Sequence, residues 1–157
     1  MVALAEALLA LKDRIGECSR CHNLSEQDLC EICLDPRRDS ATICVVEKVL
    51  DVLIFERMGE YHGHYHVLGG VISPLDGITP DDLHIADLIR RLPEVRELII
   101  ATPPNMEGDT TALFIVKQSE PFPVKITRLA RGLPMGANLE FTDEATLASA
   151  YTSRVDL

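Results

Sequence analysis

Thr42-Ile43-Cys44-Val45-Val46-Glu47-Lys48-Val49-Leu50-Asp51-Val52-Leu53-Ile54-Phe55-Glu56-Arg57-Met58-Gly59 holds the change of pattern that decides the fold. Thr42–Val46 is a short, apolar, β-rich run, and Val49–Met58 reads as a helix stopped by Gly59. The same alternation continues downstream. Tyr65–Leu68 is a second strand closed by Gly69-Gly70, and Thr79-Pro80-Asp81-Asp82 starts a helix that runs to about Leu92. Glu97–Thr102 is an almost unbroken apolar strand of the kind buried on both faces of a parallel sheet. Glu107–Gln118 is helical, Val124–Leu129 is a fourth strand and Asp143–Ala150 a short final helix. Strands alternating with helices specify an α/β fold with a central, mostly parallel sheet. Upstream, Leu4, Leu8, Leu11 and Ile15 mark one face of an amphipathic helix ended by Gly16.

Between that helix and the first strand lie Cys18, Cys21, Cys30 and Cys33, in the pattern C-x2-C-x8-C-x2-C. Each pair offers two thiolates from one tight turn, and two such turns complete the tetrahedral sulfur shell of a structural Zn2+. The intervening residues are polar, so metal binding would supply the folding energy. The alternatives are two disulfides or buried thiols; disulfides are disfavoured in a chain read as cytoplasmic. His22 could replace a ligand, but the cysteines suffice, and Cys44 in its apolar run reads as a core residue.

The 157 residues carry 15 Lys+Arg against 25 Asp+Glu, a net charge of −10. That balance excludes a basic nucleic-acid surface spread over the whole molecule. No apolar run reaches the roughly 18 residues of a membrane span. Some of the excess acid follows the strands. Glu47 follows the first, with Asp51 a turn later, and Glu107 and Asp109 follow the third. If those strands are neighbours, Glu47, Glu107 and Asp109 converge, and would need a proton, a cation such as Mg2+, or a basic partner. The competing reading is that these acids compensate helix dipoles. His62, His64 and His66 alternate and share a strand face, read as surface or interface histidines rather than a metal site. Arg37 and Arg38 could touch phosphate, but Asp35 and Asp39 flank them and pairing is the default. Arg90 and Arg91 occupy the last turn of their helix, where cations are favoured anyway.

The order of motifs resembles the bacterial recombination mediator family RecR over nearly the whole chain. It runs from the four-cysteine knuckle through Asp35-Pro36-Arg37-Arg38-Asp39 and Ile43-Cys44-Val45-Val46-Glu47. Gly69-Gly70-Val71-Ile72-Ser73-Pro74-Leu75-Asp76-Gly77-Ile78, Glu107-Gly108-Asp109-Thr110-Thr111-Ala112, Gly132-Leu133-Pro134-Met135-Gly136 and Leu139-Glu140-Phe141 follow. The resemblance implies an N-terminal helix (1–16), a zinc finger (17–40), a Toprim, Rossmann-like domain (41–131) and a Walker-B-like C-terminal segment (132–157). It implies an adaptor rather than an enzyme. With RecO and RecF, such an adaptor helps load RecA on single-stranded DNA covered by SSB. Glu47, Glu107 and Asp109 match the Toprim acids. Glu47, Asp51, Glu107 and Asp109 fall on the acidic surface that holds RecO, and Arg154 lies near an arginine used similarly.

The family's N-terminal helix–hairpin–helix module, which carries DNA-binding residues, is expected to be missing here. DNA would then be met through partners, with Arg37 and Arg38 as weak candidates. A dimer is expected for this chain and a tetrameric ring for the full-length family. A cytoplasmic, nucleoid-associated location is implied. Thr102-Pro103-Pro104-Asn105 departs from the family's Thr-Asn-Pro, stiffening that loop and removing an amide donor. The alternative function is a Mg2+-dependent Toprim nuclease or primase-like enzyme using Glu47, Glu107 and Asp109.

Overall fold

The computed structural model describes residues 2–157 and divides into two compact units, Met1–Thr127 and Arg128–Leu157. The first opens with helix α1 (Val2–Arg14), followed by a two-stranded antiparallel hairpin, β1 (Gly16–Glu17) and β2 (Leu24–Ser25), and the single turn α2 (Glu31–Leu34). The α/β body comprises β3 (Asp39–Val46), α3 (Val49–Met58), β4 (Gly63–Val67), α4 (Ile85–Arg91), β5 (Glu97–Ala101), α5 (Met106–Ser119) and β6 (Lys125–Arg128). The strands lie in the order β4-β3-β5-β6. β3 is parallel to both neighbours, with Val46 level with Val67 on one side and Ala101 on the other.

Alternation along β3 divides the core into two layers. Ile43 and Val45 join Leu98, Ile100 and residues of α4 and α5 (Ile85, Leu88, Ala112, Ile115) on one face. Cys44 and Val46 join Tyr65, Val67 and, from α3, Val52 on the other. Helices thus cover both faces of a parallel sheet, which is why Ile43–Val46 of β3 and Leu98–Ala101 of β5 are apolar. Gly59 ends α3 in the left-handed conformation (φ 73°) that a side chain would disfavour.

Two expectations, the helix from Thr79 and the placement of the β4 histidines, need correction. The helix expected from Thr79 to Leu92 is interrupted. Asp82 accepts hydrogen bonds from the Thr79 amide (2.8 Å) and hydroxyl (2.9 Å), closing a 3-10 turn at Pro80–Asp82. Leu83 is then extended and buried, and α4 starts only at Ile85. The histidines of β4 are not on the surface: His64 and His66 are buried, level with Ile43 and Val45, and His62 precedes the strand. β4 is the outer strand of the sheet, but its Val67 amide donates to the Cys21 carbonyl (2.8 Å), so the cysteine knuckle covers that edge. The apolar stripe of α1 is exposed, and no described residue of that helix is buried. Finally, within the Walker-B-like segment, Leu139–Phe141 forms a 3-10 turn. Asp143 caps the following helix α6 (Glu144–Thr152) by accepting from the Thr146 amide (2.9 Å).

Candidate functional site

The cysteine cluster is built by local backbone bonds. The Cys18 amide donates to the Asn23 carbonyl (2.7 Å), and the His22 amide returns to the Cys18 carbonyl (2.9 Å). Cys30 immediately precedes α2 and Cys33 lies within it. All four side chains are buried, their sulfurs lie within 4.8 Å of one another, and none is bridged. A tetrahedral shell at a Zn–S distance of about 2.3 Å has S···S edges of about 3.8 Å. The Cys21–Cys30 separation of 3.5 Å and the compact group around it fit that shell. Thiol hydrogen bonds from Cys21, then Cys33, hold Cys30 far below the ordinary thiol range, and Cys21 is raised in turn. Leu29 and Ile32 are the partly buried hydrophobics packed on it, so the cluster has little apolar core of its own.

His22 is not a fifth donor to this shell. It adopts a positive φ (62°), and its Nε2 lies 2.9 Å from Asp87 and its Nδ1 3.4 Å from Glu17. With His84 and Glu17 it forms a second group of donor atoms. Its ring, however, stacks on that of His84 at 3.6 Å and 3°. The in-plane lone pairs of parallel stacked imidazoles cannot converge on one ion, so the group as arranged is a polar seam rather than a chelate.

The second feature is the end of the sheet. Because β3 and β5 are adjacent, Glu47 at the end of β3 and the loop leading to Glu107 lie beside each other. Sites in open α/β sheets form at this carboxyl end. Glu47 is mostly buried and sits 3.7 Å from the Lys48 amine. Asp51 accepts from the Lys48 amide (2.9 Å), so its carboxylate also caps α3. Glu107 and Asp109 occupy the first turn of α5. The carboxylates of Glu47, Glu107 and Asp109 do not gather within the 4.8 Å that the cysteine sulfurs do. The side chains present an acidic edge rather than an ion cage.

Asn105, in the loop that departs from the family pattern, caps α5 by accepting from the Gly108 amide (2.8 Å). A side chain at Gly108 would place its Cβ 1.8 Å from the Pro103 carbonyl oxygen, so only glycine fits this turn. The rigid Pro103-Pro104 pair is thereby locked against the start of the acidic helix.

The arginine candidates are engaged. Arg37 grips Asp35 through two hydrogen bonds of 2.9 Å, which hold that carboxyl at about 2. Arg38 pairs with Glu56, donates to the Gly63 carbonyl (3.1 Å), and shares Glu56 with the Tyr65 hydroxyl. Neither flanking acid holds Arg38, and Asp39 binds Arg96 (2.8 Å) instead. In the C-terminal unit, Arg154 lies over the Tyr151 ring at 4.7 Å and donates to its carbonyl. Sequence reasoning missed Arg91. It reads as a dipole cation, but it runs inward to the Tyr65 carbonyl (2.9 Å) and His66 Nδ1 (3.0 Å). His66, whose Nε2 reaches the His84 carbonyl (2.7 Å), is held neutral by burial and then by Arg91, down to about 3. Among the described residues, no helix is long and apolar enough to cross a membrane.

Comparison with known proteins assigns each part. Residues 41–130 match the Toprim domain, 15–35 the RecR four-cysteine zinc finger domain and 132–155 the RecR C-terminal family. The chain is 53% identical to the recombination protein RecR of Rubrobacter xylanophilus, covering 99% of this chain and 79% of that protein. It is 52% identical to that of Acidothermus cellulolyticus (98% and 78%) and 51% identical to that of Synechococcus elongatus (100% and 79%). A zinc-finger match over four buried, unbridged cysteines, joined to a parallel Toprim sheet and the matching C-terminal segment, shows that the chain belongs to the RecR family of recombination proteins.

Proposed function

We propose that the chain is a non-enzymatic adaptor of RecF-pathway repair. It would act with RecO, and with RecF, to help place RecA on single-stranded DNA covered by SSB. The observation that carries this is the adjacency of β3 and β5, which sets Glu47 beside the loop leading into α5, whose first turn holds Glu107 and Asp109. This acidic edge, on a chain of net charge −10, suits a basic protein surface. RecO would be held there, with Asp51 contributing, and would give way when DNA competes for the same basic surface; Arg154, in the C-terminal unit, would be a further RecO-binding residue. DNA would be met mainly through that partner, since Arg38 is tied to Glu56 and Arg37 to Asp35.

Titration of purified RecO against the chain should show saturable binding that weakens with salt; salt-independent binding would contradict an electrostatic contact. An enzymatic role would be marked by Mg2+-dependent DNA cleavage or synthesis that disappears in Glu47→Gln; the adaptor role expects neither activity. Copies of the chain would associate as a dimer through C-terminal and Toprim surfaces, within the ring of four implied for the full-length family. Exposed Leu139, Phe141 and Tyr151 support such a contact. Light scattering should give two chains per particle, and a stable tetramer would contradict this.

A further inference from the structure

Arg91 is the least ordinary charge in the molecule. It projects from the last turn of α4 toward the knuckle, and one nitrogen serves three acceptors: the Tyr65 carbonyl (2.9 Å), His66 Nδ1 (3.0 Å) and, at longer range, the Arg20 carbonyl (3.4 Å). Its neighbour Arg90 takes the carboxylate of Asp87, and no carboxylate pairs with Arg91 among the described residues. A guanidinium can only donate, so His66 accepts at Nδ1 and donates from Nε2 to the His84 carbonyl. The chain of bonds thus fixes the histidine tautomer as well as the arginine.

A charge withdrawn from water without an opposite charge is destabilising. A zinc-bound knuckle would supply the opposite charge. Four thiolates around Zn2+ leave a net charge of −2. Burial disfavours the charged form of Arg91, while Cys33 and Cys21 are the largest influences favouring it. The backbone around it is shared between knuckle and sheet: Val67 donates to the Cys21 carbonyl, and Arg20 donates to the Cys33 carbonyl (3.3 Å).

We propose that Arg91 is the counter-charge of the zinc tetrathiolate, so that metal occupancy and docking of the finger on the edge of β4 are one coupled event. Zinc retention then depends on a Toprim residue outside the finger, and the finger's position depends on the metal. The inference rests on zinc at the four cysteines and is independent of any partner.

The test uses zinc-loaded full chain and two readouts, zinc release to a chromophoric chelator and hydrogen exchange at the Val67 amide. Arg91→Met should release zinc about ten-fold faster or more, the scale of outer-shell losses at metal sites. It should also raise exchange at Val67, with Arg91→Lys between it and the parent. Arg90→Met, altering an exposed arginine on the same turn, should leave both unchanged. Zinc release unchanged in Arg91→Met, with or without faster exchange, would reduce Arg91 to a packing residue and overturn the proposal. Should Arg91→Met fail to fold, the parent protein decides. Removing its zinc should raise exchange at Val67, and full protection of that amide in the metal-free chain would overturn the coupling.

Discussion

Cys21→Ser should strip zinc from the chain and loosen residues 17–35, while leaving the α/β body folded. The asymmetry follows from where the stabilisation lies. In the knuckle the buried side chains are the four cysteines themselves, with partly buried Leu29 and Ile32 against them. Its strands β1 and β2 are two residues each. Such elements cannot offset their own ordering entropy. Zinc contributes on the order of 10–16 kcal/mol in small isolated zinc domains. The body has an independent apolar core, from Ile43 through Ile115, together with the cluster around Val52 and Tyr65. Metal analysis should therefore fall from about one zinc per chain to near zero. Hydrogen exchange should rise across 17–35, and far-ultraviolet dichroism from the body should be mostly retained. Full zinc content in Cys21→Ser would refute the four-sulfur site.

The second large effect is expected at the acidic edge. Reversing Glu47 and Glu107 together to Lys should weaken RecO binding about ten-fold or more and flatten its salt dependence, because close charge pairs dominate such contacts. Asp51 is a poorer probe. Its carboxylate accepts from the Lys48 amide at the start of α3, so reversal there also removes a helix cap, at about 1 kcal/mol. Glu47 makes no comparable backbone bond; its contact is Lys48 at 3.7 Å. Loss of affinity in Glu47→Lys with an unchanged unfolding midpoint would separate binding from folding. Undiminished affinity in the double variant would remove this surface from the partner's footprint.

Much of this architecture was legible in the residues. Val49–Met58 is found where its periodicity and Gly59 set it, and the apolar runs at Thr42–Val46 and Glu97–Thr102 became adjacent parallel strands. The four cysteines announced their cluster by spacing alone. What escaped had non-local causes. The helix beginning at Thr79 carried every start signal, yet Asp82 turned back to Thr79 within one turn, and burial of Leu83 redirected the chain. His64 and His66 read as surface or interface histidines from their alternation alone; both are buried, and His66 is bonded to Arg91 and the His84 carbonyl, contacts that local sequence does not show. Arg91 read as a dipole cation because nothing local shows that β4 and the knuckle meet at its helix end. Asn105 looked like a departure from a motif, whereas its side chain caps α5 by accepting from the Gly108 amide.

The acidic edge is expected to recruit RecO so that RecA can be loaded. The most direct test is RecA filament formation on SSB-covered single-stranded DNA in the presence of RecO, with the parent chain or with the Glu47→Lys, Glu107→Lys double variant shown to carry full zinc. Loading that the parent stimulates and the zinc-replete variant does not is the result expected. Equal stimulation by both proteins would contradict it.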